Sequence, residues 1–359
     1  MLKTKLVYVL TCAPEATYIE QALMSIWSAR YHNPDAHIVL LVDDKTNQLL
    51  VGKRAEVLEF VTEKVVVSFE DENVTMMYRS RWMKTQVRQL VQGDLLFIDC
   101  DTIIQRPLKE IDDWKFEIGA VLESHLFVGD FCEELYNSTK EETAIIGVNI
   151  DEEVQYYSSG VLFVKDTKTT HRLYELWHFF WVESNKRKLK IDQPSLAKAN
   201  SEMGHIIQQI PDSYNCIVFT HPPFVRNAHI LHIASYRNPS FLFSPKVLEY
   251  VKRNGLINSW LRKMILNPFA TMPPFDYMLK YSSFSERQSW VKEMTYGWNG
   301  YKKYIDETCA DFPSNVRCNK IIKFMLRCSC TYGAICMYIF ERYVHSCRKT
   351  VKYNICQKD

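Results

Sequence analysis

A chain of 359 residues, 47% hydrophobic and 24% charged, has the balance of a soluble globular protein and the length for one large domain or a domain with an extension. Its formal net charge of +2 hides a division: residues 241–359 carry 19 Lys and Arg against 9 Asp and Glu, while residues 1–240 carry 25 against 33. No uncharged apolar stretch reaches the roughly 18–20 residues of a membrane span, Leu6 to Leu10 is too short for a secretory signal, and no nucleic-acid-binding motif is present.

In chain order, Lys5 to Thr11 is predicted as a strand and Pro14 to Tyr31 as a helix, with Ile19, Leu23, Ile26, Trp27 and Tyr31 at helical spacing. A second strand runs from His37 to Val42 and ends in Asp43-Asp44. Glu56 to Phe60 is helical or transitional, and Lys64 to Val67 is a third strand. Tyr78 to Val91 reads as a helix and Phe116 to Leu122 as a strand. Lys140 to Glu153 is acidic and looks disordered; the β-rich run Tyr157 to Val164 follows. Thr170 to Ser184 and Asp192 to Asn200 are helical, and Cys216 to Thr220 and Ile230 to Ile233 are short strands. Strands alternating with helices predict a layered α/β domain with a mostly parallel sheet, whose ligands bind at the carboxyl ends of the strands. Thr11, Asp43, Asp99 and Asp101 lie at or near such ends.

The segment Leu95-Leu96-Phe97-Ile98-Asp99-Cys100-Asp101-Thr102-Ile103-Ile104 concentrates the chemistry. Bounded by Gly93-Asp94 and Arg106-Pro107, it reads as a buried strand. Alternation then turns Asp99 and Asp101 to one side and Cys100 to the other. Two carboxylates in an apolar setting repel each other, and a divalent cation such as Mg²⁺ or Mn²⁺ relieves that cost and commonly holds a phosphate too.

Together with Ser80-Arg81-Trp82-Met83-Lys84-Thr85 upstream, this segment resembles the nucleotide-sugar-binding domain of GT-A glycosyltransferases, whose Asp-x-Asp holds a metal on the donor diphosphate. Three further segments follow in the order of the retaining family 8, glycogenin-like group. Tyr156-Tyr157-Ser158-Ser159-Gly160-Val161 looks like that family's aromatic-Asn-Ser/Ala-Gly-Val strand, with Ser158 where Asn is usual. The plain alternative is a strand whose glycine admits a close neighbour. Asp192-Gln193-Pro194-Ser195-Leu196 looks like its Asp-Gln-x-x-Leu. The resemblance implies Asp192 on the donor sugar hydroxyls and Gln193 beneath the anomeric carbon; the alternative for Asp192 is a helix cap. His232-Ile233-Ala234-Ser235-Tyr236-Arg237-Asn238-Pro239 resembles the family's His-x-x-Gly-x-x-Lys-Pro in part, which implies His232 as third metal ligand. His229 competes with it. Ser235 and Asn238 depart from the pattern, leaving Arg237 or Lys84 to supply charge for the diphosphate.

By weaker analogy Glu123 falls where the family has an Asp on the donor sugar. Arg81 and Lys84 fall where it has a basic residue near the nucleotide, although a solvated helix face would look the same. The resemblance covers residues 4–240. It implies a GT-A (Rossmann-like) α/β domain over 1–240 that moves a hexose from a nucleotide sugar, UDP-glucose or UDP-galactose, to a saccharide or glycolipid acceptor. Retention, with Mn²⁺ or Mg²⁺ as cofactor, belongs to the same expectation. The implied catalytic pair is Asp192 and Gln193. The donor-binding set is Thr11, Arg81, Lys84, Glu123, Ser158, Ser159, Gly160 and Arg237; the metal set is Asp99, Asp101 and His232. A sugar-phosphate nucleotidyltransferase is a rival, but Thr11-Cys12-Ala13-Pro14-Glu15 has neither glycine nor a basic residue for a phosphate loop. A non-catalytic nucleotide-sugar- or glycan-binding relative is a second rival.

The basic region 241–359 lies outside the resemblance. It reads as a helical extension holding seven of the eleven cysteines in residues 309–356, without a paired zinc pattern. Basic residues interleaved with aromatic and aliphatic ones over 317–358 suit an anionic membrane surface or a helix pair packed on the catalytic domain. An odd cysteine count, with Cys12 and Cys100 in apolar runs, suits reduced thiols. The expected setting is therefore cytoplasmic, peripheral on the inner face of a membrane if the surface reading holds, with no nucleic-acid partner.

Overall fold

Strands that are apolar at consecutive positions need cover on both faces of their sheet. The computed structural model of the chain, which describes residues 2–131, 133–217, 228–233, 242–256 and 258–266, supplies that cover. Its first half comprises β1 (Lys5–Leu10), α1 (Tyr18–His32), β2 (Ile38–Asp43), α2 (Asp44–Leu49), β3 (Glu63–Val67), α3 (Met76–Thr85), α4 (Val87–Leu90), β4 (Leu95–Ile98), β5 (Thr102–Ile104) and β6 (Ile118–Leu122). Then come α5 (Glu133–Ala144), β7 (Tyr157–Val164), α6 (Lys168–Lys186), α7 (Gln193–Glu202), β8 (Gln208–Gln209), β9 (Cys216–Ile217), β10 (Ile230–His232), α8 (Pro245–Asn254) and α9 (Ser259–Leu266).

The main sheet runs β3-β2-β1-β4-β7-β6-β8. The first four strands are mutually parallel, and β7 is antiparallel to both β4 and β6. Alternation along each strand divides the core in two. Leu6, Tyr8, Leu10, Leu40, Val42, Leu96 and Ile98 pack with α1, α8 and α9, while Val7, Val39, Leu41, Leu95 and Phe97 pack with α4, α6 and α7. This is the α/β architecture with a largely parallel sheet that the element order predicts.

A small second sheet, β5-β10-β9, lies beside it. The expected continuous strand through Asp99 and Asp101 is not formed. β4 stops at Ile98, and residues 99–101 make the turn by which the chain leaves the main sheet for the small one. The Thr102 hydroxyl closes that turn by donating to the Asp99 carbonyl at 2.9 Å, and the Cys100 thiol donates to the Val9 carbonyl at 3.3 Å.

Other boundaries move for local reasons. α1 starts at Tyr18 rather than Pro14, because the Pro14 carbonyl accepts from Lys252 and the Ala16 carbonyl from Arg54. The helix predicted over Tyr78 to Val91 breaks at Gln86, just after Thr85, whose hydroxyl takes the Arg81 and Trp82 carbonyls. The acidic segment expected to be disordered is ordered. α5 covers its start, and Ile150 and Tyr156 bury with Val128 in a separate small cluster. Among the described residues no helix is long and apolar enough to cross a membrane. The region 317–358 lies outside the described residues.

Candidate active site and metal centre

The turn after β4 meets two other chain segments at the carboxyl edge of the parallel strands. β7 runs antiparallel to β4 with Val161 opposite Ile98, which sets Gly160 beside Asp99; the Asp99 amide donates to the Gly160 carbonyl at 2.9 Å. β10 runs antiparallel to β5 with His232 opposite Thr102, and the Ile233 amide donates to the Asp101 carbonyl at 2.9 Å. As a result one ligand atom from each of Asp99, Asp101 and His232 lies within 4.8 Å of the others. Two carboxylate oxygens and an imidazole nitrogen form a donor set that suits Mn²⁺ better than Mg²⁺.

Gly160 is a glycine because of this approach. A Cβ there would stand 2.4 Å from His232 Cε1 and 3.2 Å from Asp99 Oδ2.

The imidazole is held from behind. His232 Nδ1 is 2.9 Å from Asn215 Oδ1, while the Asn215 amide nitrogen donates to the Ser158 hydroxyl at 3.3 Å. With the Asn215 nitrogen facing Ser158, its oxygen accepts from Nδ1–H, and Nε2 is turned to Asp101 Oδ1 at 3.3 Å. A partner on the far nitrogen that fixes tautomer and ring direction is the usual support of a metal-binding histidine. Burial pushes the His232 ring down, but Asp101 and Asp99 hold it above its ordinary value. Burial pushes the Asp99 carboxyl up; Lys84 opposes the rise and Asp101 adds to it. His229 is not part of the cluster. It stacks on Tyr214 at 4.3 Å, and burial lowers it.

Lys84 ties this cluster to the start of α7. Its side chain is 3% exposed, with Nζ 3.3 Å from Asp99 Oδ1, 3.2 Å from the Ser159 hydroxyl and 3.5 Å from Asp192 Oδ2. Arg81, one turn earlier on α3, places Nε 2.9 Å from Asp192 Oδ1. Asp192 precedes α7 but its side chain does not cap the helix. Burial alone would raise this carboxyl, but Lys84 and Arg81 hold it below the usual carboxylate range. Lys84 does not face solvent as an ordinary helix surface would, and Arg81, partly exposed, turns its guanidinium onto Asp192. The loop before α7 is fixed from α6, where the Trp177 indole donates to the Asp192 carbonyl at 2.9 Å and the Trp181 indole to the Lys190 carbonyl at 3.3 Å.

Gln193 Nε2 donates to Glu123 Oε2 at 2.8 Å, which brings the end of β6 to the same place. Thr11 is buried past the end of β1, its hydroxyl 3.4 Å from the Met76 carbonyl. Asp43 is fully buried and committed elsewhere: it caps α2 through the Thr46 amide and pairs with Arg79. Arg237 lies outside the described residues. Asn215, Trp177 and His125 were not singled out in the sequence, and no periodicity or spacing marks them; each acts through a tertiary contact.

α3 docks on α6 through His178, whose Nδ1 is 2.8 Å from the Thr85 hydroxyl and whose ring meets Trp82 and Trp181. Burial pushes this imidazole down to about 4 from 6.5. The fold therefore favours the neutral ring. That contribution is complete above pH 6.5 and is lost as the pH falls toward about 4. A His178→Phe variant is expected to show a shallower loss of stability over that window, measured by denaturant melts at stepped pH; an unchanged pH slope contradicts this role.

No family model matches the sequence, and no curated protein matches it. Solved structures similar to this chain include glycosyltransferases. The galactosyltransferase LgtC, solved with donor and acceptor sugar analogues, matches at 13% identity and a TM-score of 0.47, over 72% of this chain and 99% of that one. Mouse xyloside xylosyltransferase 1 matches at 12% identity and 0.42, over 64% and 97%. The glycosyltransferase GlyE of Streptococcus pneumoniae TIGR4 matches at 17% identity and 0.45, over 75% and 64%.

Proposed function

We propose that this chain is a metal-dependent GT-A glycosyltransferase that transfers a hexose from a UDP-sugar to a saccharide or glycolipid acceptor, with retention. What carries this reading is the convergence of Asp99, Asp101 and His232 from two sheets, with Gly160 keeping the space between them clear. Asp99, Asp101 and His232 would hold a divalent cation, which supplies Lewis-acid neutralisation of the departing diphosphate. Ser158, Ser159, Gly160 and Thr11 would line the donor's side of the strand ends, and Arg81 and Lys84 favour the ionised form of Asp192. The Asp192 carboxylate, next to the Gln193 amide, is placed to favour positive charge at the anomeric carbon. Asp192 paired to two cations is a poor proton acceptor, so it does not serve as the general base that an inverting mechanism needs. Association of the basic region 241–359 with an anionic membrane surface, and with it a lipid-linked acceptor, belongs to the same proposal.

The test is release of UDP from UDP-glucose and UDP-galactose with Mn²⁺, alongside Mn²⁺ binding followed by electron paramagnetic resonance. The wild-type protein is expected to bind Mn²⁺ and release UDP only when the metal is present. Asp101→Asn is expected to lose both while keeping its circular dichroism spectrum. No Mn²⁺ binding by the wild type, or UDP release untouched by Asp101→Asn, overturns the reading.

A further inference from the structure

The segment after β6 is backbone under strain. Ser124 and His125 both have positive φ, 54° and 58°, and neither is glycine. Two consecutive side-chain-bearing residues in the left-handed region are costly and persist only where the surroundings enforce them. Here they are enforced. The Glu123 amide donates to the Tyr156 carbonyl at 2.7 Å. The Ile217 amide donates to His125 Nε2 at 3.0 Å, and His125 Nδ1 stands 3.1 Å from Asp212 Oδ1. Both Ser124 and His125 are buried.

This clamp fixes the direction of the Glu123 carboxylate, whose two oxygens are both engaged by protein. Oε1 accepts from the Ser124 hydroxyl at 3.3 Å and Oε2 from Gln193 Nε2 at 2.8 Å. An ionised carboxylate only accepts hydrogen bonds. The nitrogen of the Gln193 amide must therefore face Glu123, and the amide oxygen must be turned away from it. A neutral side chain at position 123 would not enforce that choice, because an amide can meet an amide either way round.

We propose that Glu123 is a positioning residue that sets which way round the Gln193 amide sits, presenting its oxygen to the sugar, and that Glu123 does not itself bind the donor. This rests on the glycosyltransferase reading above and differs from the donor-sugar contact that the family resemblance implies for position 123. The role is electrostatic orientation: an amide oxygen facing the anomeric carbon favours developing positive charge there, whereas a flipped amide presents N–H donors that oppose it.

The experiment is a double-mutant cycle of Glu123→Gln, which keeps size and hydrogen-bonding reach, and Gln193→Ala. Donor turnover is read as UDP release from whichever of UDP-glucose and UDP-galactose the wild type uses, with Mn²⁺, and donor affinity by calorimetry. Glu123→Gln is expected to lower kcat roughly ten- to hundredfold with donor KM and Kd unchanged, and to have no further effect when Gln193 is already alanine. A raised donor Kd in Glu123→Gln, additive losses in the double variant, or unchanged kcat with only a lower melting temperature each overturns the proposal. A wild-type protein that turns over neither donor fails the glycosyltransferase reading instead, and is told apart by that result.

Discussion

The Gly160→Ala variant is expected to lose divalent-metal binding by roughly ten- to a hundredfold while remaining folded. The added methyl would lie 2.4 Å from His232 Cε1 and 2.8 Å from His232 Nδ1. Neither side can yield cheaply. Nδ1 is the atom that Asn215 holds, and the Gly160 carbonyl is bonded to the Asp99 amide, so moving β7 drags Asp99 with it. The ring must turn out of the cluster, or the Asp99 turn must shift. Overpacking of this kind costs about 1–3 kcal/mol of stability, and the loss of geometry falls on all three ligands together. Mn²⁺ titration followed by electron paramagnetic resonance, with circular dichroism as the control for folding, checks it. An affinity equal to wild type would mean that the cluster is not the metal centre.

Replacing Lys84 by methionine is expected to destabilise the metal-free protein by about 3 kcal/mol, since removing one partner of a buried charge set leaves the others uncompensated. Lys84 is the buried cation shared by Asp99 and Asp192. Methionine fills much the same space and keeps contact with the Phe97 ring, over which Nζ now sits at 5.1 Å. The loss is therefore one of charge rather than packing. Arg81 still partners Asp192, so the larger deficit lies at Asp99. Saturating Mn²⁺ is expected to restore a good part of the lost stability, because a cation at Asp99 does the electrostatic work of the missing ammonium. Denaturant melts with and without Mn²⁺ measure both effects. A variant as stable as wild type without metal, or one that Mn²⁺ does not stabilise more than it stabilises wild type, contradicts the assignment of Lys84 as the counter-charge.

The strands and their two-faced burial were legible because β1, β2 and β4 are apolar at consecutive positions, and such runs are tolerated only between two layers. The acidic pair was legible for the same reason: carboxylates abutting Leu95-Leu96-Phe97-Ile98 are conspicuous. That residues 99–101 form a turn between two sheets was not legible. A change of strand partner is a tertiary event, and alternation of side chains gives the same facing for Asp99 and Asp101 in either case. The choice between a capping and a site role for Asp192 stayed open in the sequence; in the fold its side chain caps no helix and pairs instead with the buried Lys84 and the partly exposed Arg81. The choice between His229 and His232 depends on Tyr214, which takes one ring as a stacking partner and leaves the other free to face Asp101. Asn215 gave no signal at all. It lies 17 positions before His232, in a short turn whose residues have no common face, and only folding brings them together. The order of the acidic segment Lys140 to Glu153 was not legible because its charge density conceals the few apolar residues, Val148 and Ile150, that bury within it.

Asp99 and Asp101 sit where the main sheet ends, and His232 belongs to a strand of the small sheet some 130 residues later in the chain. A cation held by all three is consequently a cross-link, closing a loop of that length much as a disulfide would. Among the described residues the small sheet has three short strands, the longest of them three residues. Such strands hold one another weakly in isolation. On the proposed metal reading, ion occupancy and the stability of the small sheet are linked, so that a bound cation adds to the resistance of that edge of the fold to unfolding without being needed to form it.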